Sequence, residues 1–188
     1  MKKIQVLKPH YRVDECLAQM KECLDIGWTG MGFKTVEFED KWKEYTNLPN
    51  AHFINSATSG LHMAVKLLKE ECNWHDEDEI ISTSFTFVST NHAIKYENLT
   101  PVFADIDESL NLNPQEVKNK ITSRTKAIMF VGLGGNSANL IEIIKIAREN
   151  NLKIILDAAH MAGSKIENKH VGFDVDVTGR KLRLLTIS

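Results

Sequence analysis

The stretch "KAIMFVGLGGNSANLIEIIKIARENNLKIILDAAH", residues 126–160, decides the fold. It begins as a short apolar run, passes through a glycine-rich loop, turns helix-periodic, and ends in a second apolar run closed by Asp157. In "SANLIEIIKIAREN" the residues Leu140, Ile143, Ile144 and Ala147 recur at the i, i+3, i+4, i+7 spacing that places them on one face of a helix. The flanking runs "KAIMFVG" and "LKIILDAA" are short and apolar, as buried strands are. Two strands joined through a helix lie parallel, because a crossover of that length returns the chain to the same end of the sheet.

The same alternation runs toward the N-terminus. "AHFIN" reads as a strand, followed by a helix with Leu61, Ala64, Val65 and Leu68 inward and Lys66 and Lys69 outward. "EIISTS" is a strand, "FTFVSTNHAIKY" a loop and helix, and "TPVFADID" a strand whose opening proline is tolerated at that end. "LNPQEVKNKI" supplies a short helix with Asn113 as N-cap, Pro114 at the first helical position, and Val117 and Ile121 on one face. The expected fold is α/β: a three-layer, mostly parallel sheet with helices on both faces.

Residues 1–51 read as a helical arm, with helices in "DECLAQMKECLDIG" and "KTVEFEDKWKEYTN", the latter carrying Val36, Trp42 and Tyr45, joined by the glycine-bearing loop "WTGMGF". Residues 52–178 form the large domain. Residues 179–188, "GRKLRLLTIS", depart from the strand and helix rhythm as an aberrant tail.

Composition narrows the function classes. Across 188 residues, 23 Lys+Arg stand against 25 Asp+Glu with no long run of like charge, which argues against nucleic acid as the main partner. There is neither an 18-residue apolar run nor a secretory h-region, so a cytoplasmic protein without membrane attachment is expected. Cys16, Cys23 and Cys72 form no C-x-x-C pair and are read as buried thiols, with no disulfide and no metal site.

In open parallel sheets ligands bind beyond the carboxyl ends of the strands, which directs attention to four loops. In "NSATSGLHM" Ser56, Thr58 and Ser59 sit at a helix start near Gly60, where hydroxyls, unpaired N–H groups and the helix dipole favour an anion. The same residues are what a plain N-cap requires, so the loop alone leaves both roles open. In "TSFTFVSTN" Phe85 and Phe87 flank Thr86 and are either core residues or a stacking surface. "FVGLGGNSAN" fails the dinucleotide pattern because Ser137 stands where the last glycine belongs. Asp157 ends a strand as either a turn residue or a partner for a ligand cation, with His160 close behind it. An anion cradle, an aromatic face, a carboxylate and an imidazole at one sheet edge suit a flat, cationic, phosphorylated ligand.

In order and spacing, "SATSGLHMAVKLL", "DEIISTSFTFVSTNHAI", "TPVFADID", "SRTKAIMFVGLGGN", "ENNLKIILDAAHMAGS" and "GFDVDV" resemble the DegT/DnrJ/EryC1/StrS sugar aminotransferases over roughly residues 10–178. The resemblance implies the aspartate-aminotransferase-like fold type I large domain, incomplete at its C-terminus, and pyridoxal 5'-phosphate as cofactor. It also implies a nucleotide-linked keto sugar and an amino-acid donor as substrates, a role in polysaccharide or antibiotic sugar biosynthesis, and a homodimer in intact members. By the same resemblance Thr58 and Ser59 bind the phosphate, Phe87 stacks on the pyridine ring, Asp157 pairs with the ring nitrogen, and His160 lies near the ring hydroxyl. A carboxylate at about 4–6 Å favours the protonated nitrogen that makes the ring an electron sink.

Two departures from the family pattern carry weight. Where relatives have a histidine in "HLYGN", this chain has Gly132. The segment S-F-x-x-x-K that holds the Schiff-base lysine is missing; Lys181 comes too early and lacks the preceding Ser-Phe. The expectation is a chain broken near Thr178, with no catalytic lysine and no activity alone. The alternatives are a relative that dehydrates sugars with a histidine in the lysine's place, which His170 precedes too early to serve, and a non-catalytic fragment.

Overall fold

The computed structural model describes residues 10–28, 30 and 32–175 and divides into two compact units, Met1–Phe38 and Glu39–Ser188. Lys181 and residues 176–188 lie outside the described residues.

In the first unit α1 spans Val13–Ile26 and α2 begins at Phe33, running on to Thr46 in the second. Gly27 ends α1 in the left-handed region (φ 74°), where glycine pays no Cβ penalty, and returns its N–H to the carbonyls of Cys23 and Leu24. Lys34 pairs with Glu22 (2.7 Å) and Glu37 (3.0 Å). The cysteines are not the buried thiols expected: Cys16 is exposed, Cys23 and Cys72 are half-buried, and all are free. Amphipathic spacing put Cys16 on a helix, but α1 buries none of its residues.

The second unit is built on a four-stranded sheet of β1 (Glu79–Ser82), β2 (Thr100–Phe103), β3 (Thr125–Val131) and β4 (Lys153–Asp157), in the order β2-β1-β3-β4, every pair parallel. The connections are α4 (Val88–Tyr96), α5 (Pro114–Lys120) and α6 (Leu140–Glu149), while α3 (Ala57–Glu71) precedes β1. The two-residue period of a strand divides the core. Ile80, Ala127, Met129 and Ile155 face one way and pack with Leu61, Ala64, Val65 and Leu68 of α3 and Ala93 and Ile94 of α4. Their neighbours Ile81, Ile128, Phe130, Ile154 and Leu156 face the other way, toward Val117 of α5 and Leu140, Ile143, Ile144 and Ala147 of α6. This is the three-layer arrangement with both faces covered.

Two local expectations are corrected. "AHFIN" is not a strand, because no described strand lies beside it; the N–H of Phe53 goes instead to Glu39 (2.7 Å). Lys69 is not outside: its ammonium caps the end of α4 through the Glu97 carbonyl (2.6 Å) and meets Asp76 (2.5 Å). A small antiparallel hairpin, β5 (Lys165–Ile166) with β6 (Lys169–His170), follows the sheet. Its two turn residues, Glu167 (φ 48°) and Asn168 (φ 64°), have the positive φ a tight hairpin demands. Among the described residues, no helix is long and apolar enough to cross a membrane.

Candidate functional site

A cavity of about 510 Å³ opens where β3 and β4 end and α3 and α4 begin. Thr58, Phe87, Asp157 and His160 all line it, so four of the five residues singled out in the sequence converge on one space.

At one end stands the start of α3. Its N-cap is Ser56 and its first residue Ala57, three positions earlier than the sequence suggested. Ser56 Oγ accepts from the N–H of Ser59 (3.2 Å) and pairs with Ser59 Oγ (3.0 Å). Ser59 is therefore committed to the cap and does not line the cavity, whereas Ser56, Ala57 and Thr58 do. First-turn N–H groups such as those of Ala57 and Thr58 have no carbonyl partner within their helix, so they supply donors and partial positive charge at the wall.

Phe87 occupies the N-cap position of α4 without a capping side chain and is 74% exposed. Phe85 is also exposed, so neither ring is a core residue. An aromatic face held open at a cavity wall can cover a flat ligand.

Asp157, the last residue of β4, is only 6% exposed. Its Oδ2 accepts from Thr90 Oγ1 (2.7 Å) and its Oδ1 from the Ala159 N–H (3.2 Å). Among the described residues it has no ion-pair partner. A buried carboxylate without a counter-charge is costly, and a ligand cation in the cavity would offset that cost. His160 Nδ1 accepts from the Gly134 N–H (3.1 Å), so the proton of the neutral ring sits on Nε2. The glycine-rich loop makes this contact possible, since Gly134 (φ 63°) and Gly135 (φ 84°) both lie in the left-handed region.

Thr86 and Ser89 also line the cavity, and Thr90, wholly buried, bonds both Asp157 and Thr86 (2.9 Å). The sequence reading missed these three. Thr86 and Thr90 are spaced i, i+4, but a partner 67 positions away leaves no periodic trace. No lysine is among the described residues lining the cavity. His170 is not there either: it packs against Trp42 (5.9 Å) and Tyr45 (6.5 Å), with Nε2 donating to the Ala162 carbonyl (3.2 Å).

The site thus brings helix-start donors, a buried carboxylate and an exposed aromatic ring to one cavity. It suits a flat ligand carrying an anion on one side and a protonated nitrogen on the other.

Comparison with known proteins finds relatives of one family. The model of the DegT/DnrJ/EryC1/StrS aminotransferase family matches residues 11–178. An uncharacterised protein of Methanocaldococcus jannaschii is 39% identical over 88% of this chain and 42% of its own length. GDP-perosamine synthase of Escherichia coli O157:H7 is 34% identical over 95% of this chain and 48% of its own. The solved structure of Helicobacter pylori PseC, an aminotransferase involved in the biosynthesis of pseudoaminic acid, superposes with a TM-score of 0.84 at 30% identity, covering 91% of this chain and 45% of that one. The chain spans less than half the length of the curated relatives it matches.

Proposed function

This chain belongs to the DegT/DnrJ/EryC1/StrS aminotransferase family, and from that premise we propose that it carries the cofactor cradle of a pyridoxal-phosphate sugar aminotransferase. The reaction is transfer of an amino group from an amino acid, glutamate by preference, to a nucleotide-linked keto sugar. In this reading the protein works as a cytoplasmic homodimer serving polysaccharide or antibiotic sugar synthesis.

The observation that carries this reading is the pairing of a buried, uncompensated Asp157 with the open first turn of α3 across one cavity. The phosphate of the cofactor suits the N–H groups of Ala57 and Thr58 and the hydroxyls of Ser56 and Thr58. Phe87 covers the ring, Asp157 holds the proton on the ring nitrogen, and His160 turns its Nε2–H toward the ring hydroxyl. When bound, the protonated ring supplies the electron sink that amino transfer needs. No lysine is among the described residues lining the cavity, and those residues hold the cofactor by non-covalent contacts.

Titration of the chain with pyridoxamine phosphate, followed by fluorescence, tests the cradle. Saturable binding is expected, weakened roughly ten- to hundred-fold in Asp157→Asn, the scale of one charge-assisted hydrogen bond. Wild-type chain that does not bind, or an Asn variant that binds equally well, overturns the assignment. Borohydride treatment with pyridoxal phosphate should leave no lysyl adduct; an adduct at Lys181 would show that the covalent anchor is present.

A further inference from the structure

We infer that Thr90 is a positioning residue for Asp157, the end of a directed hydrogen-bond chain through which Asp157 and Thr86 present acceptors only to the cavity. The inference rests on the cofactor reading above and concerns how the ring nitrogen is selected.

The direction of the chain follows from counting protons. A carboxylate oxygen only accepts, so Thr90 spends its single hydroxyl proton on Asp157 Oδ2 (2.7 Å). The contact between Thr90 Oγ1 and Thr86 Oγ1 (2.9 Å) then has one possible polarity, with Thr86 donating. Thr86 has no second proton to offer, and its remaining lone-pair capacity belongs to the cavity it lines. Asp157 Oδ1 is turned by the Ala159 N–H (3.2 Å). The carboxylate is therefore gripped at each oxygen, by an α4 side chain on one and by the backbone after β4 on the other, and cannot rotate without breaking one of them.

The consequence is selectivity. A ring atom approaching this wall finds acceptors from Asp157 and Thr86 and no donor from either. A protonated ring nitrogen is welcomed; an unprotonated nitrogen would meet lone pairs alone. The opposite end, at the first turn of α3, is a donor surface. Orientation of the ligand in the cavity is thus written into the polarity of its walls. Thr90 is wholly buried, as are Ala93 and Ile94 of the same helix, so a lost partner has no water to replace it.

The test compares Thr90→Val, which keeps the shape and removes the hydroxyl, with Thr90→Ser, which keeps the hydroxyl. The full chain is titrated with pyridoxamine phosphate, following fluorescence and the circular dichroism of the bound ring; inorganic phosphate competition is measured on the same samples. Thr90→Val should bind pyridoxamine phosphate about ten-fold more weakly, the effect of one hydrogen bond to a charged group, and lose much of the ring's dichroism. Its inhibition by inorganic phosphate should be unchanged, since the phosphate end is untouched, and Thr90→Ser should restore both affinity and dichroism to within about three-fold of wild type. If Thr90→Val binds and orients the ring as wild type does, the inference fails while the cofactor reading stands. If phosphate competition weakens in parallel, Thr90 is merely structural and the inference fails. If wild type binds no pyridoxamine phosphate, the cofactor reading falls and takes this inference with it.

Discussion

At the scale of single residues, Gly132 is explained by what lies beside it. A Cβ built at this position would stand 2.0 Å from Met161 Sδ and 2.6 Å from Met161 Cγ, and Met161 is wholly buried, so any shift of it displaces the surrounding core. The space over Gly132 is filled by a side chain from the β4 end of the sheet. Gly132→Ala should therefore cost about 1–3 kcal/mol by overpacking, read as a shift in the urea midpoint. Met161→Ala opens the space, so adding it to Gly132→Ala should cost less than the sum of the two single changes. Additive costs would show that the Met161 side chain does not occupy that room. Neither residue announces this in the sequence. Glycine after a strand reads as a turn, and its φ of −89° shows that close approach, not backbone freedom, is what excludes a side chain.

At the scale of elements, two attachments are sensitive to pH and in separate windows. The loop before α5 is tied to the start of α6: Asn139 donates to Asp107 (2.6 Å), Ser109 Oγ (3.3 Å) and the Leu112 carbonyl (3.2 Å), while Asn136 donates to the Ser109 carbonyl (2.8 Å). Hydrogen bonding from Ser109, opposed by burial and aided by Asn139, holds the Asp107 carboxyl below its ordinary value. A depressed carboxylate stabilises the fold fully above its unfolded pKa of about 4 and loses that contribution as pH falls through the lower folded value. His170 anchors the β5–β6 hairpin, and burial pushes its pKa down despite the opposing Ala162 carbonyl, with Lys165 lowering it further. The unfolded chain then takes up this proton first, so the His170 contribution is complete above about pH 6.5 and declines below it. His170→Gln should flatten the stability profile below about pH 6.5 and Asp107→Asn only below about pH 4, both checked by thermal unfolding across pH. Unchanged profiles would remove these attachments from the account. Most of this level was legible beforehand: α3, α4, α5, α6 and the four sheet strands carry their period in apolar residues, and Asn113 and Pro114 mark the start of α5 by local chemistry. Of the site, Phe87, Asp157 and His160 were legible because they lie at or after strand ends, and Ser56 and Thr58 because small hydroxyl residues mark a helix start. Thr86, Ser89 and Thr90 were not, since a hydroxyl near a helix start looks the same whether it caps, lines a cavity or grips a carboxylate from another element. "AHFIN" misled for the opposite reason, because an apolar run shows strand propensity but not whether a neighbour exists.

At the scale of the second compact unit, the division of the core into two clusters does not make two independent halves. Ile80 and Ile81 are adjacent in β1 and face opposite clusters, and the same is true of Ile128 and Met129 in β3 and of Ile154 and Ile155 in β4. A strand that leaves one cluster must leave the other, because its hydrogen bonds hold both sets of side chains in register. Loss of packing under α6 is therefore felt under α3. Ile143→Ala, wholly buried in the α6 layer, and Leu61→Ala, buried in the α3 layer, should each cost about 2–5 kcal/mol. Each should move one common unfolding transition, monitored by hydrogen exchange of the central β3 amides and by far-ultraviolet circular dichroism. The β3 amides should stay among the slowest to exchange in wild type and lose protection equally in both variants, because β3 lies between β1 and β4 and contributes to both layers. If Ile143→Ala releases only α5 and α6 while β3 and the α3 layer keep their protection, the layers are separable. In that case the donor end of the cavity, on α3, and Asp157, on β4, would no longer be held in one geometry by a single cooperative unit.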